Sequence, residues 1–493
     1  MVQPSSVPAS VTPIKFGTDG WRGVIAADFT FERVVRVAPV AAQVLADIYG
    51  DTTGSHSVIV GYDRRFLAED FAKAAAEAIQ AAGFDVLLSE GYAPTPAFSW
   101  AAKQKNALGA IVLTASHNPA AYLGLKVKGY FGGSVSPEVT KQIEARLEGE
   151  VPAQNEQPVT AGKLEMFNPW PSYCEGLRAK VDISRIQDAI SQGKLTVFAD
   201  VMHGAAASGL NQLLEMPVQE INSNRDPLFD GGAPEPLPRY LSQLFRVMRT
   251  HRREGGGSGE RLAIGFVFDG DSDRIAAVDA QGNFLSSQIL IPILIDHLAK
   301  RRGWTGEVVK TVSGSDLIPR LAALYNLPIY ETPIGYKYIG DRMLEVPVLV
   351  GGEESGGIGY GTHIPERDAL LSALYLLEAV VESNQDLGEI YRRLQEQTGF
   401  TAAYDRIDLP LASMEVRSRL LEQLQKQPLQ EIAGQPVVDC NPIDGYKFRL
   451  ADDSWLLIRF SGTEPVLRLY CEAATPEQVR HTLAWAKEWA NRF

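Results

Sequence analysis

Along the chain, short runs of β-branched and other apolar residues alternate with longer stretches in which apolar positions recur at helical spacing. That alternation predicts α/β layers, with strands buried between helices. Ser57-Val-Ile-Val-Gly-Tyr62 is one predicted strand. After it Leu67, Phe71, Ala74, Ala78 and Ile79 share one face of a helix predicted over Leu67–Ala82, with Gly83 placed to end it. Near the carboxyl end, Thr475, Pro476 and Gln478 supply the N-cap, the first helical residue and the capping-box partner of a closing helix. Two polar stretches interrupt the pattern and predict domain junctions: Glu148–Val159, rich in Glu, Gln and Pro, and Glu382–Asp386, which leads into a charged helix. Arg249–Arg261 sets Gly255, Gly256, Gly257 and Gly259 among charges and reads as a flexible loop, lacking the lysine and following helix of a phosphate-cradling Walker loop.

One device recurs four times, an apolar strand that runs straight into a loop of small, polar or charged residues. Gly109–Leu113 enters Thr114-Ala-Ser-His-Asn-Pro119, and Ile264–Phe268 enters Asp269-Gly-Asp-Ser-Asp-Arg274. Val346–Val350 enters Gly351-Gly-Glu-Glu-Ser-Gly-Gly357, and Trp455–Phe460 enters Ser461-Gly-Thr-Glu-Pro465. Ligands of α/β sheets bind beyond the carboxyl ends of strands, so these loops are expected to share a cleft, each from its own domain.

At 493 residues the chain is several times the size of one core, so multiple domains are required. Its 45% apolar and 22% charged residues suffice for buried cores and a wet surface, which excludes global disorder. A net charge of -13 argues against nucleic acid or an anionic membrane as partner and for small molecules. The segment Met1–Phe16 lacks the pattern of a secretion signal, and Ile289–Ile295, the longest apolar stretch, is far too short to span a bilayer. The expected location is cytoplasmic. Cys174, Cys440 and Cys471 are odd in number and widely spaced, as expected of thiols in a reducing compartment rather than of a zinc or redox pair.

The loops carry distinct chemistries. In the first, Asn118 and Pro119 fit a helix start, which would set Ser116 and His117 beside anion-binding amides, with Lys126 near enough to move a proton. Ser116 then reads as a phosphoryl carrier, or the segment is a capping loop with an incidental serine; it has no G-x-S-x-G elbow of a hydrolase. In the second, Asp269, Asp271 and Asp273 alternate with small residues and can converge on one cation. Arg274 and Ala280 stand where a calcium loop needs Gly and Glu, so an open site for Mg²⁺ fits better, the alternative being a solvated acidic turn. Glu353 and Ser355 among glycines suit sugar hydroxyls, or an exposed turn. Arg459, Ser461, Gly462, Thr463 and Arg468 together match a phosphate dianion, or a solvated loop.

In combination, five ordered segments closely resemble the phosphoglucomutase/phosphomannomutase family, the α-phosphohexomutases. They are Phe16-Gly-Thr-Asp-Gly-Trp-Arg-Gly23, Thr114–Pro119, Asp269–Arg274, Gly352-Glu-Glu-Ser-Gly356 and Arg459–Pro465. The resemblance implies four domains around a central cleft: three related α/β domains with mixed sheets (1–155, 156–284, 285–386) and a carboxyl-terminal α+β domain of TATA-binding shape (387–493). It implies Ser116 as the phosphoserine, with His117, Lys126 and Arg22 as further catalytic residues. It also implies Mg²⁺ on Ser116, Asp269, Asp271 and Asp273. Substrate contacts are expected from Arg274, Gly335-Tyr336-Lys337, Glu353, Ser355, His363, Arg367, Arg459, Ser461, Gly462, Thr463 and Arg468. The implied reaction interconverts glucose 1-phosphate and glucose 6-phosphate through a hexose 1,6-bisphosphate, which also serves as activator or phosphoryl donor. Glu354, within Glu-Glu-Ser, looks more like phosphoglucomutases than like dual-specificity relatives, while mannose phosphates stay open. Two alternatives stand beside it, a glucose-1,6-bisphosphate synthase of the same superfamily and a non-catalytic sugar-phosphate binder. The chain departs from the family at three places: Gly357 where many relatives carry histidine, Arg367-Asp368-Ala369 for Lys-Asp-Gly, and Leu123 for asparagine. His363 and Lys126 are left as candidate proton carriers.

Overall fold

The computed structural model describes residues 13–17, 19–148, 160–255, 261–461 and 465–492. It forms two units, one comprising Met1–Phe284 with His363–Val381, the other Leu285–Thr362 with Glu382–Phe493. In the first unit, one sheet contains β1 (Trp21–Val24), β2 (Ser57–Tyr62), β3 (Asp85–Ser89), β4 (Gly109–Leu113), β5 (Tyr122–Gly129) and β6 (Leu164–Phe167). Their order is β1-β5-β4-β2-β3-β6. Strands β4, β2, β3 and β6 run parallel, as expected of apolar runs covered by helices on both faces; β5 adds antiparallel to β4, and β1 antiparallel to β5. Val34, Val37 and Leu45 of the helix Phe31–Thr53, with Phe71 and Ile79 of Ala68–Ala81, fill one side of the core. The second helix begins one residue later than expected, because Leu67 adopts φ 58° as its cap.

The helix expected after Asn118 does not form. Tyr122-Leu-Gly-Leu-Lys-Val-Lys-Gly129 alternates with the period of a strand and hydrogen-bonds to both β4 and β1, with Lys126 opposite Val112 and Gly124 opposite Arg22. Tertiary pairing overrides the local Asn-Pro signal.

The second sheet comprises β7 (Leu195–Asp200), β8 (Gln219–Ile221), β9 (Leu262–Phe268), β10 (Ile275–Val278) and β11 (Phe284–Leu285), in the order β11-β10-β9-β7-β8. The expected loop from Arg249 is helical as far as Arg253: Ser242–Arg253 is one helix, with Leu244 and Met248 buried four residues apart and His251, Arg252 and Arg253 at its negative end. Residues 256–260, like 149–159 of the expected amino-terminal junction, lie outside the described residues. His363–Val381 packs in this unit: the Tyr173 hydroxyl donates to Asp368 at 2.8 Å and Glu378 accepts the Asp182 amide at 2.9 Å.

In the second unit β12 (Glu307–Thr311), β13 (Ile329–Thr332), β14 (Val348–Gly352) and β15 (Ile358–Gly359) form a sheet ordered β13-β12-β14-β15. Another sheet, antiparallel throughout, is built from β16 (Ala403–Pro410), β17 (Glu431–Ile432), β18 (Gln435–Asn441), β19 (Tyr446–Leu450), β20 (Trp455–Phe460) and β21 (Val466–Ala473). Leu420 and Leu424 of one helix and Val479 and Leu483 of another pack on its Leu456, Ile458, Leu467 and Leu469. The closing helix has the capping box anticipated at Thr475 and Gln478. Of the polar run at 382–386, Glu382 and Ser383 end the helix Ala369–Ser383, and the turn that follows brings Asp386 to cap the helix Leu387–Thr398. No described helix is long and apolar enough to cross a membrane.

Candidate active site

In the first unit, the loops after β2, β4 and β9 meet. Ser116 follows β4, is buried, and holds φ 53°, a conformation that serine adopts only when its surroundings enforce it. Its hydroxyl donates to Asp269 Oδ2 at 2.9 Å and lies 3.2 Å from His117 Nδ1, while its amide donates to Thr114 Oγ1 at 2.9 Å. The two loops touch so closely that a Cβ on Gly270 would lie 2.4 Å from the Ser116 carbonyl oxygen. Burial and then the charges of Arg274 and Arg22 hold His117 well below its ordinary pKa, which favours a neutral imidazole beside the serine.

Asp269, Asp271 and Asp273 each bring a carboxylate oxygen within 4.8 Å of the others, and all three are buried. Asp269 Oδ1 accepts the amides of Asp273 and Arg274, tightening the turn. Asp271 Oδ2 accepts the Thr95 hydroxyl at 2.6 Å and lies 2.8 Å from Lys126 Nζ; Asp273 Oδ2 lies 2.9 Å from Lys126 Nζ and 2.6 Å from the Arg367 guanidinium. The other oxygens, Asp271 Oδ1 and Asp273 Oδ1, are buried without a hydrogen-bond partner among the described residues; only Arg274 Nε stands near the latter, at 3.9 Å. Acceptors stranded in this way beside a third carboxylate fit a hard divalent cation such as Mg²⁺. Burial, and next the charges of Asp273 and Asp271, push Asp269 well above the ordinary carboxylate range, a penalty that a bound cation would reverse.

Lys126 and Lys128, two residues apart on β5, project from the same face. Burial opposes the charge of Lys126, but Asp19, Asp271 and Asp273 outweigh it and raise its pKa, so the ammonium stays charged. Lys128 lies 3.1 Å from Asp19 and 2.5 Å from Glu366. Asp19 reaches these lysines because Gly20, at φ 100°, passes so close to β5 that a Cβ would meet the Leu125 carbonyl at 2.6 Å. Arg22 NH1 donates to Asn118 Oδ1 at 2.6 Å, and Arg367 bridges Asp19 and Asp273.

His363 is not among these groups' partners: Nε2 lies 3.0 Å from Asp368 Oδ2 and the ring stacks on Trp100. The expectations missed Asp19, Thr95, Lys128, Glu366, Asp63 and Arg65. Asp63 and Arg65 were open to the same reasoning, because β2 also runs straight into a charged loop, Asp63-Arg64-Arg65.

In the second unit, the Glu353 amide donates to the Gly357 carbonyl at 2.9 Å, closing the turn between β14 and β15; Glu353 is buried and Ser355 half-buried. Glu354 lies 3.0 Å from Arg406 on β16. Arg459 and Arg468 stand directly opposite each other on β20 and β21, an arrangement of like charges that is unfavourable unless an anion compensates it. Arg459 Nε donates to Asp444 at 2.9 Å, whereas Arg468 Nε is buried with no hydrogen-bond partner among the described residues. The Ser461 carbonyl accepts Arg417 Nε at 2.7 Å, and Gly462 and Thr463 lie outside the described residues. Gly335, at φ 138°, opens the helix Tyr336–Glu345, in which Tyr336 is buried and Lys337 Nζ lies 4.8 Å from the Tyr338 ring centre.

Four family models match most of the chain. Phosphoglucomutase/phosphomannomutase alpha/beta/alpha domains I, II and III match residues 13–153, 171–282 and 286–398, and the C-terminal domain of the same family matches 415–484. A Thermus thermophilus protein provisionally named a phosphomannomutase has a crystal structure similar to this one, with 34% identity, a TM-score of 0.82, and coverage of 97% of this chain and 99% of that one. The phosphoglucosamine/phosphogalactosamine mutase of Sulfurisphaera tokodaii is 29% identical, covering 93% of this chain and 95% of its own length. The phosphoglucomutase/phosphomannomutase of Thermococcus kodakarensis is 26% identical, covering 95% and 96%.

Proposed function

Since the chain belongs to the phosphoglucomutase/phosphomannomutase family, whose enzymes are intramolecular phosphotransferases, we propose that it interconverts glucose 1-phosphate and glucose 6-phosphate through phosphorylated Ser116. The observation that carries this reading is Ser116 Oγ bonded to Asp269 in a buried group of three carboxylates beside Lys126. In the forward half-reaction the bond from Ser116 Oγ to phosphorus breaks, a new bond forms from the free sugar hydroxyl to phosphorus, and the hydroxyl proton leaves to a base at the site. The product, a hexose 1,6-bisphosphate, turns around and returns its other phosphoryl group to Ser116.

Asp269, Asp271, Asp273 and Ser116 would hold Mg²⁺, which would supply charge stabilisation on the transferring group. Arg22, Arg274 and Lys126 add fixed positive charge without solvent reorganisation. Glu353 and Ser355 are proposed to bind sugar hydroxyls, with Gly335, Tyr336 and Lys337 completing the sugar contacts. Arg459, Ser461, Gly462, Thr463 and Arg468 are proposed to hold the phosphate that does not react. His363, weighed from sequence as a proton carrier, and Arg367, expected as a substrate contact, are proposed to act from behind the site, through Asp368 and Asp273. The named relatives act on glucose, mannose, glucosamine or galactosamine phosphates, so the sugar is the finer part of the proposal.

Labelled hexose 1-phosphates of glucose, mannose and glucosamine, each supplied with a hexose 1,6-bisphosphate, test it. Label appearing fastest in glucose 6-phosphate is the expected result. Net accumulation of the bisphosphate would replace the mutase by the synthase, and turnover of glucosamine phosphate alone would replace the sugar.

A further inference from the structure

The loop that carries Ser116 has no helix to brace it, and one buried side chain binds its backbone at several points. Arg65, almost fully enclosed, donates through NH2 to the carbonyls of Ser116 and Asn118 at 2.7 and 2.5 Å, and through NH1 to those of Pro119 and Tyr122 at 3.0 and 3.1 Å. Its guanidinium lies 4.8 Å from the Phe229 ring centre, which closes the remaining face. Asp63 completes the brace. Its Oδ1 accepts the Arg65 amide at 2.9 Å, its Oδ2 accepts the Thr114 hydroxyl at 2.5 Å and lies 3.5 Å from Arg65 Nε, and that hydroxyl in turn accepts the Ser116 amide. Within the loop, Arg65 holds the backbone of residues 116–122 and Asp63 the Thr114 hydroxyl, so the pair acts on the serine without touching a reacting atom.

We propose that Asp63 and Arg65 are positioning residues for phosphoryl transfer, holding Ser116 in its left-handed conformation so that Oγ is presented at Asp269. The planar guanidinium is essential to this role, because one lysine ammonium cannot reach four carbonyls spread over seven residues. Thr114 transmits the same constraint through its hydroxyl. The inference rests on the mutase reading of Ser116, and its consequence is selective: loss of the brace slows the chemical step while sugar-phosphate binding, which lies with other residues, is retained.

The test measures loading of Ser116 from glucose 1,6-bisphosphate, in which a sugar oxygen–phosphorus bond breaks, the Oγ–phosphorus bond forms, and the serine proton passes to the released sugar oxygen. Mass measurement of the intact full-length protein follows the loading. Arg65→Lys and Arg65→Ala should lower the loading rate and kcat at least 100-fold with KM within about threefold of the parent. Millimolar guanidinium should restore Arg65→Ala at least tenfold, and equimolar urea should not. Thr114→Val should lower loading at least tenfold and Thr114→Ser should restore it, which answers the question even if the arginine variants fail to fold. Parental loading rates in Arg65→Lys or Thr114→Val overturn the inference, as does a loss that appears in KM alone. If the parent chain itself takes up no phosphoryl group, the mutase reading fails instead, and the two failures are thereby distinct.

Discussion

Gly270 offers the sharpest probe of how closely the serine and carboxylate loops must meet. Its φ lies outside the left-handed region, so alanine there introduces no backbone strain and the effect is purely one of contact. The added Cβ would lie 2.4 Å from the Ser116 carbonyl oxygen and 3.0 Å from Pro234 Cγ. Ordinary van der Waals separation requires the loops to part by about 1 Å, and overpacking of this kind costs about 1–3 kcal/mol. A displacement of that size between nucleophile and charge-stabilising groups lowers rate by about 100-fold, or about 2.7 kcal/mol of barrier. Gly270→Ala should therefore melt several degrees lower, bind Mg²⁺ more weakly by isothermal titration calorimetry, and load Ser116 about 100-fold more slowly. A variant with parental melting, Mg²⁺ affinity and loading rate refutes the claim that the two loops must touch.

Other outcomes follow from the same geometry. Ser116→Ala should reduce hexose-phosphate interconversion to background while leaving the melting temperature within a few degrees of the parent; conversion at parental speed removes the phosphoserine reading. Chelation of divalent cations should abolish transfer and added Mg²⁺ restore it, and Asp271→Asn should weaken Mg²⁺ binding at least tenfold by calorimetry. Burial raises Asp200, at the end of β7, to a pKa of about 6, so its folded form holds a proton that the unfolded chain releases near pH 4. Stability from this group is full below pH 4 and is lost as pH rises through 6, by about 3 kcal/mol at most. The melting advantage of Asp200→Asn over the parent should accordingly grow between pH 4 and pH 7, and parallel pH profiles for the two proteins would sink that assignment.

What sequence could and could not disclose follows from the range of the forces involved. The strands β2, β4, β9 and β20, the closing helix and the three-aspartate turn were legible because apolar periodicity, capping and short-range charge spacing are local properties. The Asn118-Pro119 helix start was misread because its competitor, pairing of Tyr122–Gly129 with two other strands, is written into residues far away in the chain. The same holds for the charges around the aspartates. Asp19, Lys128, Glu366 and Arg367 come from three segments up to 348 residues apart, and only folding shows that they answer one another. Arg367 illustrates the consequence: from sequence it looks like a poorer proton donor than lysine, but in place one of its nitrogens binds Asp19 and Asp273 at 2.7 and 2.6 Å, beside the Lys126 ammonium, which reaches the same two carboxylates at 2.7 and 2.9 Å. The two cations together occupy Oδ2 of Asp273 and leave its Oδ1 buried without a hydrogen-bond partner among the described residues, an arrangement that no local stretch of the sequence encodes.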